Sequence, residues 1–421
     1  MSRNRWIIAA LASAQLLVCV AIVAALWSSI AAPSPIHLYY RADTRVEENV
    51  ERTVAVGAGG RLELISSGNV VVVADSDGEV RVAAHMILYG EDEEDARSRS
   101  CFSVASGGGQ VVVRASISHP SYIWGDPGPT AVDLEVHVPA DMSLHLKASA
   151  GISVVGSCDR DGCPAIVLEA EGDGPLSVSQ VSGTLDLTTR WGAGVTVQDV
   201  RGTIRVESRM ADVSIAHVRD ANIDVSTCTS LVSLQDISGN RVAVDNCDDV
   251  VVTGASLEGV LDLQTVQGKV MVTDVSASSY RLSTSVGDLS IRGCGGGFLQ
   301  VETSAGNVDI SDAGEVQLAA DFCRAGDHPC GDLRFAGSLA PGRYNSVVGR
   351  GGDVTLTLPA GAGFDLLAST VSGTVDIEFD VPWLEPGATV VQGEVNGGGP
   401  LLSIETSSGD IRLLEAGAEG L

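Results

Sequence analysis

Four aspartates, Asp186, Asp224, Asp262 and Asp309, sit at the centres of short apolar–polar–apolar units. Two carboxylates facing one cleft can act as acid and base on a glycosidic bond, and stacked β coils can carry such chemistry. The spacing argues against it here. The units return every nine or ten residues, which puts Asp309 in a different strand set from the other three. No Asp, His and Ser follow one another around a nucleophile elbow, and the seven histidines are scattered. The residues therefore predict no enzyme, no catalytic set and no cofactor. Tyr122 and Trp124, within SHPSYIWGDPGP at residues 118–129, are the candidate recognition residues. Their rings could receive a sugar or a peptide side chain, or cover the end of a core otherwise poor in bulky residues.

Cysteine is the other chemistry-bearing type. Of nine cysteines, Cys19 lies in an apolar run and eight follow it. Cys158 and Cys163 bracket SCDRDGC, and Cys323 and Cys330 bracket CRAGDHPC, so each pair could close locally in an oxidising compartment. Cys228 and Cys247 are 19 residues apart. They would meet if strands one repeat apart stack at about 4.8 Å, within the Cα separation a disulfide tolerates. Cys101 and Cys294 have no local partner. His328, inside the second loop, leaves a zinc reading open, although neither loop offers two CxxC knuckles.

The elements that would hold these residues are repeats. LDLTT (from Leu185), IRVES (Ile204), VSIAH (Val213), IDVST (Ile223), VSLQD (Val232), VAVDN (Val242), LDLQT (Leu261), VMVTD (Val270) and LSIRG (Leu289) run through Leu318. Alternation of period two makes them strands, with Leu185 and Leu187, or Ile223 and Val225, facing inward and Asp186 or Asp224 outward. One such unit cannot bury its apolar side alone, whereas a stack can. The prediction is an all-β solenoid of short parallel strands, about 19 residues per two-strand coil, preceded by one transmembrane helix. The expected boundaries are an anchor at 1–32, a spacer at 33–50, the solenoid at 51–416 and a tail at 417–421. Irregular parts are expected at 91–100, 118–129, 322–351 and 380–400. The run EDEEDARSRS reads as a solvated loop or edge excursion.

Trp6–Ile30 carries no charged side chain and is long enough to span a bilayer as a helix. Arg3 and Arg5 precede it, which predicts a cytoplasmic amino terminus and an extracytoplasmic remainder. Cleavage as a signal peptide near Ser29 and Ala31, giving a secreted chain, is the competing expectation.

Net charge is -28, from 54 acidic and 26 basic residues. Nucleic acid, which needs a cationic surface, is excluded as a partner. Acid excess otherwise serves solubility, with cation binding or attraction of a basic ligand as the sharper alternative. Hydrophobic residues make up 44% of the chain, too many for a disordered one.

The segments SGTLDL at Ser182, SAGNVDI at Ser304, VSGTVDI at Val371 and SSGDIRL at Ser407 each place a serine and a glycine close before an alternating apolar run. LEVHVPA and VTLTLPA share a strand ending in Pro-Ala. On these motifs residues 50–416 resemble a bacterial adhesin-like family of β-strand repeats, a domain of unknown function often found behind a transmembrane helix. The resemblance implies adhesion or envelope association and no catalytic residues. The expected function is thus an exported, membrane-anchored binding or structural module. Its expected partners are the membrane, through the amino-terminal helix, and an envelope polymer, a surface protein or a second copy. The alternatives are an envelope-stress or signalling accessory acting through a membrane partner, and a polysaccharide-active β-helix enzyme.

Overall fold

The computed structural model describes residues 44–57, 59–75, 78–118, 131–156, 164–246, 248–323, 330–381 and 387–417. The chain divides into two compact units, the smaller comprising Met1–Val46, Leu88–Arg99 and Ser118–Thr130. In its described part the acidic run expected as a loop forms a short helix, Glu93–Ser98. The cause is local. The Asp92 carboxylate accepts from the Asp95 N–H at 2.8 Å, capping the first turn. Glu93, Glu94 and Asp95 then lie at the positive end of the helix dipole, and Arg97 reaches back to Glu93 at 3.0 Å.

The larger unit is the all-β solenoid, and its register follows the repeat. On one sheet Leu185 pairs with Ile204, Ile204 with Ile223, Ile223 with Val242, Val242 with Leu261, Leu261 with Tyr280, Tyr280 with Leu299 and Leu299 with Leu318, all parallel and each a 19-residue step. The second sheet is less even. Val195 pairs with Val213, Val213 with Val232, Val232 with Val250 and Val250 with Val270, steps of 18, 19, 18 and 20. The corners between sheets absorb the difference, where the register shifts at Val218/Ala221 and Gly239/Arg241. Long strands such as Val232–Asn246 and Val250–Thr265 run through these corners from one sheet into the other.

The inward residues Leu185, Leu187, Ile204, Val206, Ile223, Val225, Val242, Val244, Leu261 and Leu263 are all buried. Tyr280 takes its turn in this column, and its hydroxyl is satisfied there. It donates to the Val275 carbonyl at 2.8 Å and accepts the Ala277 N–H at 2.9 Å. Burial pushes the phenol up to about 12, so it stays neutral.

The glycines of the coil turns are steric requirements of stacking. At Gly306 (φ 129°) a Cβ would lie 2.0 Å from the carbonyl oxygen of Gly287, and at Gly409 (φ 125°) it would lie 2.1 Å from that of Gly352. The Asp or Asn that follows each glycine ties one coil to the next. Asp288 Oδ1 accepts the Asn307 N–H, Asn307 Oδ1 that of Asp332, Asp332 Oδ1 that of Asp353, and Asp353 Oδ1 that of Asp410, at 2.9–3.0 Å.

Parallel pairing gives way at the ends. Ser100–Gly107 runs antiparallel to Gln110–Ile117, part of Glu79–Gly90 runs antiparallel to Ala131–Val138, and Val390–Val395 runs antiparallel to Phe364–Ser372. The last of these lies within 380–400, which the sequence presents as irregular because Gly and Pro crowd around VVQGEV.

The helix predicted ahead of the solenoid requires a correction. No helix among the described residues is long and apolar enough to cross a membrane, and Trp6–Ile30 lies outside those residues. Among the described residues the fold class is therefore the all-β repeat architecture, with no transmembrane helix among them. The membrane as partner, the anchored function and the single-pass location go with it. An apolar run satisfies a length criterion without itself establishing a spanning helix.

Candidate functional site

The corner that follows each strand of the less even sheet holds a left-handed residue in every coil: Gln180 (φ 56°), Asp199 (54°), His217 (55°), Asp236 (52°), Gly254 (67°), Asp274 (53°), Gly293 (67°) and Asp312 (52°), with Asp220 (51°) as a second in the coil of His217. Asp, Asn and His tolerate this conformation better than most side chains. The next residue is buried and closes the corner: Val181, Val200, Val218, Ile237, Ala255, Val275, Cys294 and Ala313. Cys294 holds the place that Val275 holds one coil earlier, and burial pushes its thiol up to about 11, so it packs as a small hydrophobe.

Between residues 180 and 238 this corner opens into a cavity of about 690 Å3. Val181 and Val200 are part of its lining, beside Gln180, Asp199 and His217 and, two residues further along each coil, Ser182, Arg201, Arg219 and Ser238. Its charges are largely matched. Arg201 pairs with Asp220. His217 Nδ1 is 3.5 Å from Asp199 Oδ1, and Nε2 is 3.3 Å from Asp236 Oδ2. With both ring nitrogens facing carboxylates, neither is aimed at Ser182 or Ser238 to take a proton from a hydroxyl.

The two outer faces of the same coils differ. On the even sheet the outward positions carry His145 and Lys147, then Glu169, Asp186, Arg205 and Glu207, Asp224, Asp245 and Asp262. Lys147 reaches Glu171 at 2.8 Å and Glu169 at 3.6 Å, and Arg205 pairs with Glu207. The hydrogen bond between Lys147 and Glu171 raises the amine and lowers the carboxyl. On the other sheet the outward pairs are Ser153 and Val155, Ser177 and Ser179, Thr196 and Gln198, Ser214 and Ala216, Ser233 and Gln235, Val251 and Thr253, and Met271 and Thr273. The outward positions of these seven strands thus carry no ionisable side chain, and charge enters only at their margins, where Asp212, Asp249 and Lys269 directly precede three of them. The strip adjoins the corner directly, since Gln198 precedes Asp199 and Gln235 precedes Asp236.

A second concavity, of about 660 Å3, is lined by Glu51, Val71, His85, Asp133 and Glu135 among others. His85 Nε2 meets Glu47 at 2.9 Å. Nearby, His137 Nδ1 meets Asp75 at 2.9 Å and Nε2 meets Glu135 at 3.1 Å. The bond to Asp75, with a smaller contribution from Glu135, raises His137 above its usual value of 6.5. A raised histidine stabilises the fold below its unfolded pKa and loses that contribution as pH rises through the folded one. Wild type is therefore expected to exceed His137→Gln in stability at pH 6, with the gap narrowing by pH 8. Urea midpoints at both pH values measure it.

The aspartates singled out by type are dispersed. Asp186, Asp224 and Asp262 stand on the even sheet, each two coils from the next, and Asp309 stands on the other sheet. Tyr122 and Trp124 lie outside the described residues, as do Cys158, Cys163, Cys247 and His328. Cys323 and Cys330 form a disulfide with their Cα atoms 5.1 Å apart. Cys228 is exposed and in no disulfide. Opening the Cys323–Cys330 loop by a double Cys→Ala change is expected to cost about 2 kcal/mol from loop-closure entropy, read as a lowered denaturation midpoint. No group of three or more His, Cys, Asp or Glu among the described residues is placed to hold a metal ion. The groove around His217 carried one signal in the sequence: a polar residue directly after a strand at Gln180 and again at Asp199, His217 and Asp236, each 18 or 19 residues on.

A family model described as Toastrack DUF4097 matches residues 134–324, the span that contains the groove and most of the even repeat. This replaces the wider resemblance, over 50–416, to a membrane-anchored adhesin family. Two solved structures are similar at low levels. A candidate cell adhesion protein from Clostridium sporogenes is 8% identical, with 87% of this chain and 100% of that one covered and a TM-score of 0.17. A candidate adhesin from Bacteroides fragilis is 9% identical, with 89% and 99% covered and a TM-score of 0.19. Likenesses this remote carry no argument about this chain. No curated protein matches it.

Proposed function

We propose that this chain is a non-catalytic β-repeat scaffold that works by presenting its outer surface for binding. One observation carries the reading. The single histidine of the main groove, His217, has both ring nitrogens turned to carboxylates, and the groove's Arg201 is paired with Asp220. A general base needs a nitrogen or oxygen aimed at the proton it abstracts. The groove offers matched donors and acceptors instead, which is what recognition of a polar ligand uses.

The test is turnover by the full chain on panels of chromogenic esters and glycosides. The expected result is the uncatalysed rate with every substrate. A rate above it that disappears in His217→Ala or Asp199→Ala would overturn the reading.

A further inference from the structure

Resting on that reading, we propose that the groove around His217 and the uncharged sheet face beside it form one binding surface for an uncharged polysaccharide lying along the stacking direction. Two observations meet here: a cavity of about 690 Å3 at the corner, and seven adjoining strands of one sheet whose outward positions carry no ionisable side chain.

The charge distribution selects the ligand class. The chain carries a net charge of -28, yet this face is left neutral while the opposite face of the same coils is densely charged. An anionic polymer would meet the repulsive field of the whole protein. A cationic one would find more counter-charge on the other face, because Asp220 in the groove is already paired with Arg201, and Asp199 and Asp236 face His217. A second copy would bring its own equal negative charge. A protein partner would seek buried Trp, Tyr or Arg anchors at the centre of its interface, and the uncharged face offers none. What it offers is hydroxyl and amide groups from Ser177, Thr196, Gln198 and Ser214. Of the polar side chains on the strip, Gln235 is tied within the chain, by donation to Asp236 at 3.3 Å.

Geometry selects the polymeric form. Equivalent residues recur at the strand spacing, so the strip presents its donors and acceptors in rows over roughly 29 Å. A ligand with its own repeat of hydroxyls can engage several coils at once, and many weak contacts then sum. The groove supplies directional contacts at one margin. Asp199 and Asp220 can accept from sugar hydroxyls while Arg219 donates, and the internal ion pairs keep the net charge of the groove low.

Depletion of the full chain from solution onto cellulose, onto chitin and onto crosslinked dextran tests the proposal, with polygalacturonate beads as the anionic comparison. Saturable depletion is expected on at least one neutral polymer and not on polygalacturonate. The double variant Thr196→Glu with Ser214→Glu, shown to be folded by an unchanged urea midpoint, is expected to bind at least tenfold more weakly. Asp224→Ser, on the charged face, is expected to bind as wild type. No depletion on any neutral polymer, equal depletion on polygalacturonate, or undiminished binding by the folded double variant would each overturn the site. Appearance of new reducing ends during incubation would instead overturn the non-catalytic reading and leave the ligand class standing.

Discussion

Val242→Asp is expected to unfold the central coils, with a loss of about 4 kcal/mol or more in denaturant midpoint analysis. Val242 is fully buried and lies in register between Ile223 and Leu261, so a carboxylate there has apolar neighbours in the coils before and after it. Breaking into such a column leaves a charge without a partner, which costs about 3–5 kcal/mol, on top of the lost apolar burial. Each coil of a solenoid leans only on its neighbours, so the damage should be local first. Hydrogen exchange should show the strands from Arg201 to Thr265 losing protection before those beyond Leu333. The outward neighbour supplies the control. Asp224→Ser changes a solvated position and should shift stability by less than about 0.5 kcal/mol. Equal losses from the two substitutions would contradict the assignment of inward and outward sides.

Gly306→Ala is the second large effect. The change adds one methyl group, and helix or strand propensity alone would make it mild. Here the Cβ would sit 2.0 Å from the Gly287 carbonyl oxygen and 2.5 Å from its carbon, and the backbone at φ 129° disfavours any L side chain. Backbone strain of this kind costs about 1–3 kcal/mol, and relieving the clash must move a coil apart. The Asp288 to Asn307 bond at 3.0 Å and the Asn307 to Asp332 bond at 3.0 Å lie within that movement. The expected loss is about 3 kcal/mol, measured by urea unfolding. Gly57→Ala, where a Cβ meets nothing within 4 Å, should be nearly neutral.

Period two with a constant return was enough to read the strands, their inward sides and their parallel stacking from residues such as Ile223, Val242 and Leu261. Those features depend on hydrophobicity alone, which a sequence displays directly. The glycine turns were legible as turns, but their reason was not, because the crowding at Gly306 comes from an atom 19 residues earlier. The short helix at Glu93–Ser98 was masked by its own capping charges, and Val390–Val395 by the glycines that flank it. The candidate groove was harder still. His217, Asp199 and Asp236 look unrelated in a list of histidines and acids, and only a left-handed backbone at each coil corner places them side by side. The neutral face was hidden because its Ser, Thr and Gln residues are dispersed among strongly acidic segments. Trp6–Ile30 lies outside the described residues, and no membrane-spanning helix is found among those that are described.

The fixed step of one sheet and the loose step of the other have a consequence for how such a gene can change length. Duplicating nineteen codons between Leu185 and Leu318 would insert one whole turn with Asp, Gly and apolar positions already aligned to those above and below. A slip to eighteen or twenty would fall at a corner, as it already does between Val195 and Val213 and between Val250 and Val270. Replication errors of this size would thus lengthen the molecule as a ruler is lengthened, by whole graduations, with its reading edge unbroken.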